Sequence, residues 1–182
     1  MDRIGCISLG TVAERVNMTV PSASPLFLRE AEIRRGTELL FFGYANLYKP
    51  TDKMLAGLGL GRAHHRAMYF ISRKPDITVG ELLAILGVTK QSFGRVAKQL
   101  MSRGLVEQRP GEQDRRQRLL RLTETGAAFE RQLFDELHDN MARAYAASGG
   151  AAVAGYWTVL QHLMGAQATE QFARMYARSL DS

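Results

Sequence analysis

Apolar positions in the middle of the chain recur at the spacing of short helices and then change to the spacing of strands. Val79, Leu82, Leu83 and Leu86 stand three and four residues apart, which is one face of a helix. Gly87 follows as a C-terminal breaker, and two residues later Thr89 is placed to cap a second helix. In that helix Phe93, Val96, Ala97 and Leu100 share one side. Gly104 suits a helix end. Beyond it, Leu105–Arg109 and Arg118–Leu122 can pair as a two-stranded hairpin around the loop Pro110–Gln117. Two helices joined by a glycine-containing turn, followed by a hairpin with a basic tip, describe a winged helix-turn-helix.

The flanks read as longer helices. A first helix is expected from about Leu26 to Tyr48, ended by Lys49-Pro50. Its apolar residues (Ile33, Leu39, Leu40, Phe41, Phe42, Tyr44 and Leu47 among them) exceed one stripe, so two faces need cover, one from its own domain and one from a second subunit. Leu58–Ser72 forms the next helix, and Pro75 fixes the turn into the central unit. Thr123 caps a long helix carrying Phe129, Leu133, Leu137 and Met141 at steps of four. A break at Ser148-Gly-Gly150 leads to a last helix, roughly Ala152–Ser179, with Val153, Trp157, Leu160, Met164, Phe172, Met175 and Tyr176. Residues 1–24 have no clean period and read as a mobile arm or a loosely docked short helix. Gly57-Leu-Gly-Leu-Gly61 lacks the lysine and strand context of a nucleotide loop and reads as a hinge.

Composition narrows the picture. The chain has 182 residues, 46% of them hydrophobic, which suffices for a proper core. No apolar run of about 18 residues exists, so no membrane span is expected. The N-terminus lacks the pattern of a signal peptide. A lone cysteine, Cys6, excludes an internal disulfide framework and fits a reducing cytoplasm. Charge is unevenly placed. Lys74–Thr123 carries ten basic and five acidic residues, a net +5, while Glu124–Ser182 carries four and seven, a net −3. A basic centre beside an acidic C-terminal third points to a polyanion meeting one face of the molecule.

Asp114-Arg-Arg116, followed by Leu119-Leu-Arg-Leu-Thr-Glu-Thr-Gly126, resembles the wing signature of the MarR family of bacterial regulators. Gly87-Val-Thr-Lys-Gln-Ser92 and Leu100-Met-Ser-Arg-Gly-Leu-Val-Glu-Gln-Arg109 are similar to its recognition helix and its entry to the wing. The resemblance covers roughly residues 60–137. It implies a mainly α fold with a small β-hairpin wing, a winged helix-turn-helix flanked by N- and C-terminal dimerisation helices. On that reading residues 25–57 and 148–182 dimerise. Residues 58–147 form the DNA-binding domain with its linking helix, the recognition helix at about 89–103 and the wing at about 105–122. The partners implied are double-stranded DNA, a second copy of the chain and a small phenolic or anionic effector, in the bacterial cytoplasm and away from membrane.

The exposed face of the recognition helix would carry Thr89, Lys90, Gln91, Ser92, Arg95 and Lys98, none of them acidic. Gln91, Ser92 and Arg95 are the candidate base readers, at about 1–3 kcal/mol of discrimination for a good bidentate contact. Lys90 and Lys98 suit phosphate. In the wing, Arg115 and Arg116 suit a narrow minor groove, with Arg109 beside them. The resemblance implies that Asp114 supports the wing through an ion pair with Arg116 or its neighbour. His64 and His65 point about 100° apart on a helix and have no further ligand at three or four residues, so a metal site is not expected. The resemblance instead makes Phe42, Tyr44, His64, His65 and Tyr69 a candidate effector pocket, against the plainer reading of a histidine packed on the core. No nucleophile motif, phosphate loop or paired carboxylates occur, so neither an enzyme nor a cofactor is expected. Two alternatives stand beside the ligand-responsive regulator. One is a DNA-binding regulator controlled by Cys6 oxidation or a partner; the other is a winged helix that binds protein or RNA.

Overall fold

The computed structural model describes residues 27–111 and 114–179. The N-terminal arm and Cys6 lie outside the described residues. The elements run α1 (Glu30–Gly57), α2 (Arg62–Arg73), β1 (Ile77–Thr78), α3 (Val79–Leu86), α4 (Lys90–Ser102), β2 (Val106–Pro110), β3 (Arg118–Leu122), α5 (Glu124–Ser148), α6 (Gly150–Leu163) and α7 (Ala166–Ser179). The fold is mainly α with a small antiparallel sheet, a winged helix. The chain divides into two units, 1–41 and 42–182, with the boundary inside α1. In the first, Ile33, Leu39, Leu40 and Phe41 are exposed, and Arg34 pairs with Glu30 one turn away at 2.6 Å.

The core lies in the second unit. Leu55, Met68, Ile71, Ile77, Leu82, Leu100, Leu120 and Leu133 are fully buried, drawn from α1 to α5 and two of the strands. Each such side chain contributes roughly 1.5–3 kcal/mol relative to exposure. This core overturns the expected end of the first helix. The helix does not stop at Lys49-Pro50 but runs through Pro50 to Gly57. Proline removes one backbone donor, a cost set locally. Burial of Thr51 and Leu55 in the next two turns acts against that cost, and the Thr51 hydroxyl donates to the Tyr48 carbonyl at 2.9 Å.

The helix-turn-helix is built from caps. Thr78 Oγ1 accepts the Glu81 N–H at 3.1 Å while a Glu81 carboxylate oxygen accepts the Thr78 N–H at 3.1 Å, a reciprocal capping box that starts α3. Gly87 ends it at φ +65°, a conformation that a side chain resists, and its N–H returns to the Leu83 carbonyl at 3.0 Å. Thr89 Oγ1 then accepts the Ser92 N–H at 3.3 Å and starts α4. Phe93 and Leu100 of α4 are buried, with Val96 and Ala97 packed against the core.

The hairpin forms with Val106 opposite Leu122 and Arg109 opposite Leu119. Its sheet has a third strand that periodicity could not reveal. β1 pairs with β3, Ile77 opposite Leu120 and Thr78 opposite Leu119, so β3 is central in the order β1-β3-β2. Two residues carry no alternation; burial of Ile77 against Leu120 is what selects the pairing. Thr123 caps α5, its hydroxyl accepting the Gly126 N–H at 3.0 Å. The expected break at Gly149-Gly150 is present, but the single last helix is not. Met164 adopts extended backbone (φ −70°, ψ 130°) and splits it into α6 and α7. Gly165 follows the split, and its carbonyl accepts the Thr169 N–H at 3.0 Å to begin α7. Tyr156, Trp157, Val159 and Leu163 of α6 are exposed, with Trp157 Nε1 donating to the Tyr145 hydroxyl at 3.0 Å.

Candidate nucleic-acid interface

Burying Phe93 and Leu100 turns the opposite side of α4 to solvent. Thr89, Lys90, Gln91, Ser92, Arg95 and Lys98 are all exposed there. The helix N-terminus adds its own partial positive charge beside Lys90. Thr89 and Ser92 are partly committed to the cap. The Ser92 hydroxyl donates to the Thr89 carbonyl at 3.0 Å and its oxygen accepts the Thr89 hydroxyl at 3.2 Å, while no hydrogen bond to another described residue takes up the Gln91 or Arg95 donors.

Helix α4 is braced by His64, which the sequence places in the candidate effector pocket, and by Arg103, while Arg66 braces α3; neither arginine was singled out from the sequence. His64 Nδ1 accepts the Gly61 N–H at 3.0 Å and its Nε2 meets Gln99 Oε1 of α4 at 2.6 Å. That arrangement requires the proton on Nε2. Arg103 Nε donates to the Leu58 carbonyl at 2.8 Å, tying the end of α4 to the glycine-rich turn. Arg66 Nη2 donates to the Leu86 carbonyl at 3.1 Å and holds the end of α3. A helix boundary at Gly61, three residues before His64, was the available signal for the first of these.

In the wing, Arg109, Arg115 and Arg116 are exposed. Arg109 is paired with Glu107 on the same strand. Among the described residues Asp114 does not form the ion pair expected of it. Its Oδ1 accepts the Arg116 backbone N–H at 2.9 Å, so the carboxylate shapes the turn and leaves the Arg116 guanidinium for other contacts. Arg116 and Arg118 of the wing, Gln108 of β2 and Lys90 of α4 edge one cleft of about 620 Å³. Its floor is apolar, from Val79, Leu83, Phe93, Ala97 and Leu120. Cations of helix and wing thus border a common concavity.

The five residues grouped as an effector pocket do not come together as one set. His65 is buried, its ring 6.0 Å from that of Tyr48, which lies 4.7 Å from Tyr44. The Arg62 guanidinium sits over both tyrosine rings at 5.1 and 5.3 Å while its fork holds Asp52, at 2.7 Å for the closest contact. That hydrogen bond pulls Asp52 below the usual carboxylate range. Burial pushes the His65 imidazole below its ordinary value, and His65 Nε2 finds no hydrogen-bond partner among the described residues. His64 turns instead to α4, Tyr69 packs on Phe70 and on Phe134 of α5, and Phe42 is 76% exposed. Tyr48 and Arg62, which complete the aromatic group around His65, were not foreseen.

Comparison with known proteins agrees with this geometry. Residues 58–117 match the model of the MarR family. The HTH-type transcriptional regulator PetP of Rhodobacter capsulatus is 47% identical over 139 residues, 76% of this chain and 84% of that protein. A mutant MarR from Escherichia coli complexed with operator DNA superposes with TM-score 0.60 at 25% identity, covering 78% of this chain and all of that one. The PcaV regulator from Streptomyces coelicolor, in complex with its natural ligand, shares the fold with TM-score 0.58 at 18% identity over 78% of this chain and 96% of its own. No helix among the described residues is long and apolar enough to cross a membrane. With the recognition helix, the wing and a relative at 47% identity in agreement, the chain belongs to the MarR family of DNA-binding transcriptional regulators and is not an enzyme.

Proposed function

We propose that the chain acts as a homodimer on a pseudo-palindromic operator, with α4 in the major groove and the arginine wing in the adjacent minor groove. The observation that carries this reading is that Lys90 of α4 and Arg116 of the wing border the same cleft. A duplex entering from that side meets both. Gln91 and Arg95 read base edges; Lys90, Lys98 and Arg109 neutralise phosphates; Arg115 and Arg116 reach the minor groove. A second copy covers the apolar side chains left exposed on α1 and α6, such as Leu40, Trp157 and Leu163. Two recognition helices then address half-sites about 34 Å apart. A small phenolic or anionic effector, bound beside His65, Tyr48 and Arg62, favours a spacing that no longer fits DNA. It can move the equilibrium only as far as its affinities for the two geometries differ. The solved PcaV complex with its natural ligand and the unpartnered buried nitrogen of His65 support an effector of this kind.

The test is fluorescence anisotropy on the promoter next to the protein's own gene, with scrambled DNA as control, across a salt series. Preference for the promoter and a loss of about 10³-fold or more between 50 and 200 mM salt support a dimer with many phosphate contacts. Arg116→Ala should lower the slope of log affinity against log salt by about 1. Absence of binding to either duplex at low salt rejects the reading.

A further inference from the structure

Resting on the wing reading just given, we infer that Asp76, outside both helices of the helix-turn-helix and outside the hairpin, is the residue that sets the angle of the wing. Asp76 lies in a β-turn between α2 and β1, closed by the Ile77 N–H donating to the Lys74 carbonyl at 3.2 Å. Pro75 occupies the second position of that turn and Asp76 the third, at φ +61°. Among the described residues it is the only one other than glycine with positive φ. The third position of such a turn ordinarily takes glycine or asparagine, because a side chain there works against the backbone. The carboxylate has a use, however. Its two oxygens meet the Arg121 fork of β3, Nε at 3.0 Å and Nη2 on the other oxygen.

That pair crosses a weak joint. β1 is tied to β3 by two residue pairs only, Ile77 with Leu120 and Thr78 with Leu119. Thr78 in turn caps α3, so the Asp76–Arg121 fork joins the root of the wing to the start of the helix-turn-helix. From Arg121 to Arg116 the strand and turn extend roughly 17 Å. A tilt of about 5° at the root therefore moves the arginine tip by roughly 1.5 Å, more than a hydrogen-bonded groove contact tolerates. Asp76 also settles how the neighbouring charges share partners. Glu107 stands opposite Arg121 on β2 and is paired with Arg109. With Asp76 gone, Arg121 competes for Glu107.

The experiment uses the full chain and the promoter duplex, in the salt series above, with wild type, Asp76→Gly, Arg116→Ala and the double variant. Glycine keeps the turn and removes only the carboxylate. Asp76→Gly is expected to weaken binding about fivefold and to lower the salt slope by about 1, with an unchanged circular dichroism spectrum. The double variant should bind no more weakly than Arg116→Ala alone, because a misplaced wing has already lost that arginine. Asp76→Asn, which retains an acceptor, should recover most of the affinity. Arg121→Gln breaks the same pair from the other side and should show the same dependence on Arg116. Wild-type binding by Asp76→Gly and Arg121→Gln overturns the inference, as does a double variant whose loss is the product of the two single losses. If Arg116→Ala itself binds as wild type, the wing reading fails and this inference with it.

Discussion

Gly126 sits where the first turn of α5 presses on the root of the wing. A Cβ built on it would lie 1.9 Å from the Leu105 carbonyl oxygen and 2.8 Å from the carbonyl carbon. Carbon and oxygen meet comfortably at about 3.3 Å, so Gly126→Ala must drive the two backbones apart by about 1.4 Å. That movement takes with it the Thr123 N–H donating to the Leu105 carbonyl at 3.2 Å and the Thr123 hydroxyl donating to the Gly104 carbonyl at 2.5 Å. Overpacking costs about 1–3 kcal/mol, and a lost hydrogen bond about 1 kcal/mol. Alanine's better helix propensity offsets less than about 1 kcal/mol. The net loss is about 2–4 kcal/mol, or a Tm lowered by about 5–15 °C for a chain of this length. Thermal melts followed by circular dichroism, at one fixed protein concentration, give the answer directly. Gly80→Ala is the control, since a Cβ there meets nothing within 4 Å and lies inside α3. It should raise Tm by about 1–4 °C. A Tm for Gly126→Ala within 2 °C of wild type refutes the reasoning, because the backbone contact would then be far looser than the structure has it.

Two further outcomes follow from the caps and the buried histidine. Thr78→Ala removes the acceptor for the Glu81 N–H and should cost about 1 kcal/mol by chemical denaturation, with Thr78→Ser recovering most of it. Burial holds the His65 imidazole below its ordinary value while the Asp52 charge acts the other way. A group depressed in the folded state binds fewer protons there than in the unfolded chain, so its contribution is present above about pH 6.5 and is lost as pH falls below it. Glu130, raised by burial and drawn back by its hydrogen bond to Ser72, works in the opposite sense at lower pH. Comparing melts of wild type and His65→Phe from pH 8 to 5.5 cancels Glu130. The wild type should lose stability more steeply on acidification, and parallel curves would remove His65 from the account.

Much of the protein was legible from side-chain order alone. Periodicity at three and four residues placed α3 and α4, and threonines at Thr89 and Thr123 marked where helices begin, because capping is a contact between neighbours in sequence; the Thr78 cap emerged only in the structure. The exposure of Lys90, Gln91, Arg95 and Lys98 followed from the burial of the opposite face of α4, and that of Arg115 and Arg116 from their place in the turn between the two hairpin strands. Tertiary structure decided whatever depends on residues far apart in the chain. Pro50 reads locally as a stop, yet α1 continues because Thr51 and Leu55 are buried in the core. β1 exists because Ile77 meets Leu120, forty-three residues later, a pairing too short to leave a pattern. Asp114 turns to a backbone N–H while Asp76 takes Arg121, and nothing in either neighbourhood says which carboxylate finds the guanidinium. Contacts within one helical turn are encoded where they occur. Burial and charge pairing across the fold are chosen only once all the elements have met.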